Sequence, residues 1–386
     1  MAAFGRPLLA LIVGQIGLHA CMAGIRLAAP LLALRAGHTA GAVGLLMALF
    51  AAAPIALALQ AGRQADRHGY HRPVRTAVAL TAAGALLAWM ATFAGALQFA
   101  LLCAAAALAG AGANFGLIAI QRTAGRAARD AIERKQVFSW LGLAPALANV
   151  VGPVAAGVLI DAAGFRSAFF ALLLLPLVTL WWARQVPVEA ARPAVAEGAR
   201  AGALDLLLAP GMRRLLLVNW LLSTSWDLHG FLLPIIGHER GLSASAIGLI
   251  LGAFAGAVAA VRLLIPMVAR HAREPQVLAA AMLWTAVVFG VYPFARGPWV
   301  IGACAVALGL ALGCVQPMVM SMLHHITPDA RHGEAIALRS MTINLSSTLM
   351  PLLFGAAGVA LGASALFWMM SASVAAGSWP ARRVGA

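Results

Sequence analysis

The sequence predicts an all-α integral membrane protein, with twelve transmembrane helices in two pseudo-symmetric six-helix bundles. Three observations carry this expectation. Hydrophobic residues make up 62% of the 386 residues and charged residues 10%, with a mean hydropathy of +0.91. A soluble domain carries about 25% charged residues, so this chain lacks the polar surface to cover a water-exposed globule. The apolar runs are Ala- and Leu-rich and do not alternate with period two, which argues against a membrane β-barrel. Finally, the first half of the chain is echoed in the second.

A helix needs about 20 apolar residues to cross the hydrocarbon core, and in lipid its backbone groups must be satisfied within the segment. The predicted spans of the first half are Pro7–Leu34, Ala40–Ala61, Val74–Ala94, Leu97–Ile120, Phe138–Ile160 and Ser167–Ala183. Those of the second are Met212–Ile236, Ser243–Ala269, Gln276–Phe294, Pro298–Leu323, Gly333–Gly358 and Gly362–Gly377. Arg6 ahead of an apolar run resembles a signal peptide, but the run continues past Cys21 to Leu34, so an uncleaved first span is expected. Cys21, Cys103, Cys304 and Cys314 all fall in apolar runs without metal-ligand spacing, and no metal or other cofactor is expected.

Placing the N-terminus in the cytoplasm sorts the basic residues. Arg63, Arg67, Arg72 and Arg75 then share one cytoplasmic loop, and Arg122, Arg126, Arg129, Arg134 and Lys135 the next. Arg184, Arg192, Arg200, Arg213, Arg214, Arg270, Arg273, Arg331, Arg382 and Arg383 fall on the same side as Arg6. Only Arg35, Arg166, Arg240 and Arg296 fall opposite. This is the positive-inside pattern, with both termini cytoplasmic, in a plasma membrane such as the bacterial inner membrane. The net charge of +15 therefore reports orientation and anionic headgroups, and the scatter of the arginines over separate loops speaks against nucleic acid.

Gln185–Pro210 holds Pro187, Pro193, Glu189, Glu197 and Asp205 and no long apolar run. It divides the chain into a first bundle over 1–184, a cytoplasmic linker over 185–210 and a second bundle over 211–386. A shift of 204 residues lays Pro30 to Gly37 on Pro234 to Gly241, and Gly44, Phe50 and Ala51 on Gly248, Phe254 and Ala255. At a slightly different offset, Pro153 and Gly157 pair with Pro351 and Gly355. The repeat is parallel, first span on seventh.

Between the second and third spans stands Gly62-Arg63-Gln64-Ala65-Asp66-Arg67-His68-Gly69-Tyr70-His71-Arg72. It resembles the major facilitator motif between the same helices, G-x-L-x-D-R-x-G-R-R. Gly62, Asp66, Arg67 and Gly69 match, Gln64 replaces the Leu, and Tyr70-His71 replace the basic pair with Arg72 just beyond. The resemblance implies a gate in which Asp66 faces the start of the eleventh span, near Gly333, when the cytoplasmic side is closed. Physically, an acidic side chain suits the unpaired N–H groups of a helix N-terminus. In the second half, Pro266 and Arg270 stand where Gly62 and Asp66 would map, so that copy has decayed.

The fifth span carries Ser139-x8-Ala148-x3-Gly152-Pro153-x2-Ala156-Gly157, followed by Asp161-Ala-Ala-Gly164-Phe165-Arg166. It is similar to the proton-antiporter motif of drug exporters, G-x8-G-x3-G-P-x2-G-G, with three glycines replaced by Ser or Ala. Small residues also serve plain helix packing, and Pro153 can bend a helix. The resemblance implies a secondary transporter of the drug:proton antiporter branch.

A charge near the bilayer centre costs about 2.5–3.5 kcal/mol on insertion scales. Within the predicted spans lie Arg26, Asp227, Arg262 and Arg339, and Asp227 is the one carboxylate well inside, since Glu334 stands near a helix end. The repeat sets Asp227 opposite Ala23, about 4.5 Å in depth from Arg26 at 1.5 Å per residue. Asp227 is expected to bind the coupling proton, with Arg26 pairing with it or holding an anionic group; a static ion pair is the plainer alternative. His19 and His229 are candidates for proton relay or substrate binding, with a satisfied core histidine as the plainer use. Asn114, Gln121, Asn149, Asn219, Gln316 and Asn344 are polar positions for substrate or helix-to-helix hydrogen bonds. Arg339 is expected to serve structure or gating, and Arg262 to snorkel to the cytoplasmic face.

No G-x-x-x-x-G-K-[ST] loop is present, so no ATPase of that kind is built in. An embedded enzyme would want clustered acid and base residues, and His324-His325 lacks a carboxylate at helical spacing. The expectation is a monomeric, non-enzymatic carrier, partnered by lipid, a small solute and a proton. Efflux of an amphipathic or drug-like compound by proton exchange stands first. Proton symport of an anionic metabolite stands second, and a transporter-like receptor without flux third.

Overall fold

The computed structural model describes residues 5–127, 131–188, 204–268, 273–327 and 332–384. Arg129, Glu189, Arg192, Pro193, Glu197, Arg200, Arg270 and Arg331 fall outside these, as do the side chains of Asp66, Ser139, Asp205, Pro266, His324 and Glu334. Among the described residues every regular element is a helix. The first half holds α1 (Gly5–Arg35), α2 (Ala40–His68), α3 (His71–Ala91), α4 (Gln98–Ala127) and α5 (Ala131–Ala183). A short α6 (Leu204–Leu208) precedes α7 (Pro210–Glu239), α8 (Ala244–Val268) and α9 (Glu274–Val291). Then come α10 (Pro298–Gly313), α11 (Val315–Ile326) and α12 (His332–Arg382).

Among the described residues, nine segments are long and apolar enough to cross a membrane. Two of them, Trp140–Ala183 and Leu338–Arg382, run 44 and 45 residues, about twice a bilayer crossing. Each breaks once, at Gly164 (φ 80°) in α5 and Gly362 (φ 79°) in α12, so each holds two passages. α10 and α11 form a single passage, Pro298–Leu323, interrupted at Cys314. α7 is thirty residues long but is diluted by Asn219, Asp227 and His229, and with it the passages come to twelve.

The repeat is visible in the backbone. Gly37 (φ 86°) and Gly241 (φ 68°) end α1 and α7 in the left-handed region, where a Cβ would be strained. Gly95 and Gly297, and Gly164 and Gly362, form two further pairs of positive-φ turns. Gly69 (φ 67°) has no such counterpart among the described residues. It ends α2, its N–H donating to the Ala65 carbonyl at 3.0 Å, a glycine cap that the decayed second copy lacks.

The chain packs as two compact units. The first is Met1–His38, Leu45–Ala196 and Gly241–Gly252; the second is Thr39–Gly44, Glu197–Arg240 and Ala253–Ala386. The starts of α2 and α8 each pack with the unit that does not hold the rest of their helix.

In the first unit, α1 lies along α5, tied by the Thr179 hydroxyl donating to the Gly14 carbonyl at 2.8 Å. The start of α8 crosses α5, where Gly157 meets the Ala244 backbone and Gly248 meets the Pro153 carbonyl. No Cβ fits at either glycine. Asp161, in the connection between the fifth and sixth spans, accepts hydrogen bonds from the first free N–H groups of α8, Ala244 at 3.1 Å and Ser245 at 2.6 Å. Burial alone would raise this carboxyl, but the bonds from Ser245 and Ala244 outweigh it and hold the group below its usual range.

In the second unit, α7 and α9 pack against α12, with Ser371 donating to the Ala286 carbonyl at 2.6 Å. The start of α2 crosses the first limb of α12 here, where Gly44 meets the Pro351 carbonyl and Gly355. These are the repeat mates of Gly248, Pro153 and Gly157.

On the sparsely basic side, three of the four arginines are tied down. Arg35 lies 5.0 Å from the centre of the Phe165 ring and Arg166 4.2 Å from that of Phe93. Arg240 donates to the Ala295 and Pro293 carbonyls.

Candidate functional site

The polar residues of the second unit gather where α7 meets the first limb of α12. Asp227 is 4% exposed. Ser346 donates to its Oδ2 at 3.1 Å, and Ser347 reaches Oδ1 at 3.2 Å and Oδ2 at 3.1 Å. The Thr224 hydroxyl stands 3.0 Å from Ser346 Oγ. A serine hydroxyl has one hydrogen, and Ser346 gives its own to Asp227, so Thr224 must be the donor to Ser346. Three hydroxyls thus feed one buried carboxylate. Sequence reasoning missed Ser346 and Ser347; the run Ser346-Ser347-Thr348 in the middle of a span was the available signal.

His229 follows Asp227 by two residues, about 200° around a helix, and has a separate set of neighbours. Its Nε2 lies 3.1 Å from the Tyr292 hydroxyl, and its ring sits 4.6 Å from that of Phe254. Tyr292 stacks on Phe367 at 4.6 Å. His229 is therefore walled by aromatic rings, with Nδ1 buried and unbonded.

On the same two helices, Arg339 Nε donates to Asn219 Oδ1 at 3.2 Å. Asn219 lies eight residues before Asp227 and Arg339 seven before Ser346, so this rung is displaced by about 10–12 Å along the helices.

In the first unit, His19 lies on α1 beside Gln15, whose amide Nε2 meets its Nδ1. Arg26 is half-buried one to two turns further on, and Asn114 is half-buried on α4. In the motif between the second and third spans, Gly62 lies in the last turns of α2, and Arg67 and Arg72 are exposed. After Gly69 the chain tucks Tyr70 fully inside, and His71 Nε2 lies 3.0 Å from the Val186 carbonyl. In the fifth-span motif, Gly152 faces the Ala20 carbonyl of α1, while Pro153 and Gly157 form the crossing with α8. Among the described residues, no group of His, Cys, Asp and Glu is placed to hold a metal ion.

The sequence matches the family model of the Major Facilitator Superfamily twice, over residues 11–217 and 215–382. No curated protein matches it by sequence. Among solved structures, it is similar to a POT family transporter in complex with a thioalcohol-conjugated peptide, with TM-score 0.74 and 14% identity over 98% of this chain and 96% of that one. A POT family transporter in complex with 5-aminolevulinic acid gives TM-score 0.73 at 14% identity with the same coverage. A bacterial metal transporter gives TM-score 0.71 at 19% identity over the whole of both chains. At these identities the solved structures speak for the fold alone.

Proposed function

The chain belongs to the Major Facilitator Superfamily and is a secondary transporter of a small solute, not an enzyme, and we propose that it couples transport to protons through Asp227. The observation that carries the proposal is a carboxylate 4% exposed inside α7 and held by Ser346 and Ser347. Burying a charge is costly, so a carboxyl group here has reason to exchange a proton during the cycle. The serines suit both states, because a hydroxyl donates to a carboxylate and accepts from a carboxylic acid. Arg26 and His19 are proposed to act in the first unit as polar groups of the substrate path.

The direction proposed is efflux of an amphipathic compound in exchange for protons, supported by the small-residue pattern from Ala148 to Gly157. The protein is proposed to work as a monomer in a bacterial inner membrane with both termini cytoplasmic, supported by the distribution of arginines. Asp66 is proposed to act at the cytoplasmic gate.

The test is solute-induced proton movement in proteoliposomes loaded with a pH-sensitive dye. The wild-type protein is expected to show it, and Asp227→Asn to retain solute binding while losing the proton signal. An Asp227→Asn protein that still moves protons with the solute overturns the proposal.

A further inference from the structure

The second unit holds a cluster that the proton site does not use. Arg262 lies on α8, Arg339 on the first limb of α12 and Asn219 on α7. Arg339 spends one donor on Asn219 Oδ1, and the charge of Arg262 bears on Arg339. Arg262 Nε is buried without a hydrogen-bond partner. Asn219 is 1% exposed, and its Nδ2 is likewise buried and unbonded. Among the described residues, neither guanidinium has an ion pair.

Every unsatisfied group here is a donor. An unpaired buried donor costs about 1–3 kcal/mol, and more when charged. Two cations that feel each other's charge add repulsion. Neither cost is answered from within the described protein, because Asn219 offers one carbonyl oxygen and Arg339 already takes it. The missing partner must bring acceptor oxygens and negative charge together. An apolar or cationic solute supplies neither. A carboxylate or phosphate supplies both, and its oxygens match the forked donors of arginine.

We propose that Arg262, Arg339 and Asn219 form a binding site for the anionic group, carboxylate or phosphate, of the transported solute. The inference rests on the reading of the chain as a small-solute carrier and names the chemistry it selects. It gives the two arginines a use beyond the gating and snorkelling expected from sequence. The site stands about 12 Å along α7 from Asp227, so anion and proton have separate seats on one helix.

The probes are octanoate and octyl phosphate, with octanol and octylamine as neutral and cationic controls, at fixed ionic strength. Saturable thermal stabilisation of the purified protein is the readout. Octanoate or octyl phosphate is expected to bind at least ten-fold more tightly than octanol. Arg262→Gln and Arg339→Gln are each expected to weaken anion binding about ten-fold or more. Arg262→Lys and Arg339→Lys, which keep the charge in case the glutamine variants fail to fold, should retain part of it. Equal binding of octanoate, octyl phosphate and octanol overturns the proposal, as does anion affinity unchanged in the arginine variants. A lipid headgroup shares this chemistry, so the experiment is repeated in phosphatidylglycerol and phosphatidylcholine nanodiscs. Arginine-dependent stabilisation by phosphatidylglycerol, with none by free anions, also overturns it in favour of a lipid site. Proton movement that persists in Asp227→Asn counts against the proton-coupling proposal and not against this site, whose readout is anion binding by Arg262, Arg339 and Asn219.

Discussion

The crossing of α8 on α5 and the crossing of α2 on α12 are built from matching residues, yet a charge holds only the first. Gly248 meets Pro153 and Gly157 meets Ala244 in one; Gly44 meets Pro351 and Gly355 in the other. In the first, Asp161 caps the N-terminus of α8 with two hydrogen bonds. Its repeat mate is Val359, whose Cγ2 lies 3.8 Å from where a Cβ on Gly41 would stand, beside the N-terminus of α2. There the cap is weaker, with the Thr39 hydroxyl 3.4 Å from the Ala42 N–H. The difference teaches that backbone approach is demanded twice, because a side chain cannot be fitted there, whereas the electrostatic cap is optional.

The largest expected effect tests the shared part. Gly248→Val and Gly44→Val force a side chain against the facing Pro153 and Pro351 carbonyls, where a Cβ would stand equally close in both, and overpacking of this kind costs about 1–3 kcal/mol. Both are expected to lower the thermal midpoint of the purified protein by similar amounts, and tolerance at one site alone would break the equivalence of the crossings. Next, Asp161→Ala removes a helix cap, typically worth about 1 kcal/mol, whereas Val359→Ala is expected to change little. Thermal unfolding of the two variants side by side separates cap from packing. A smaller gain is expected from Val359→Asp, which puts an acid near the N-terminus of α2 for about 0.3–1 kcal/mol. A midpoint unchanged or lowered would show that the second crossing cannot accept the device.

The smallest effect is on pH. The folded state holds the Asp161 carboxyl below its usual value, so its stabilisation is complete above the unfolded value and is lost as pH falls through the folded one. The difference between wild type and Asp161→Asn should therefore hold at neutral pH and shrink only in acid below the ordinary carboxylate range. An unfolding series from neutral to acid checks it.

Much of this architecture was legible in the sequence, because glycine and proline mark backbone geometry wherever they occur. The pairs Gly37 and Gly241, and Gly44 and Gly248, were visible as a shift of 204 residues and reappear as paired turns and paired crossings. The seventh span was also legible, although its polar residues dilute α7 below the composition of an ordinary passage. The site was legible only in part. Asp227 stands out as a charge among apolar neighbours. Ser346 and Ser347 do not, since hydroxyls are common in membrane helices and reveal a role only when the facing residue is known. The association of Arg262, Arg339 and Asn219 was not legible, because it depends on three helices far apart in sequence. The same holds for His229, whose aromatic surroundings come from α8, α12 and the turn after α9.

The way each unit borrows a helix start from the opposite half has a practical consequence. Residues 241–252 pack with the first unit and 39–44 with the second. Either half made alone would leave a glycine-lined groove bare and present an unclaimed helix end, so the halves should be poor candidates for separate production. Made together as two polypeptides, they carry complementary handles and should find one another, much as exchanged arms join the partners of an interlocked dimer.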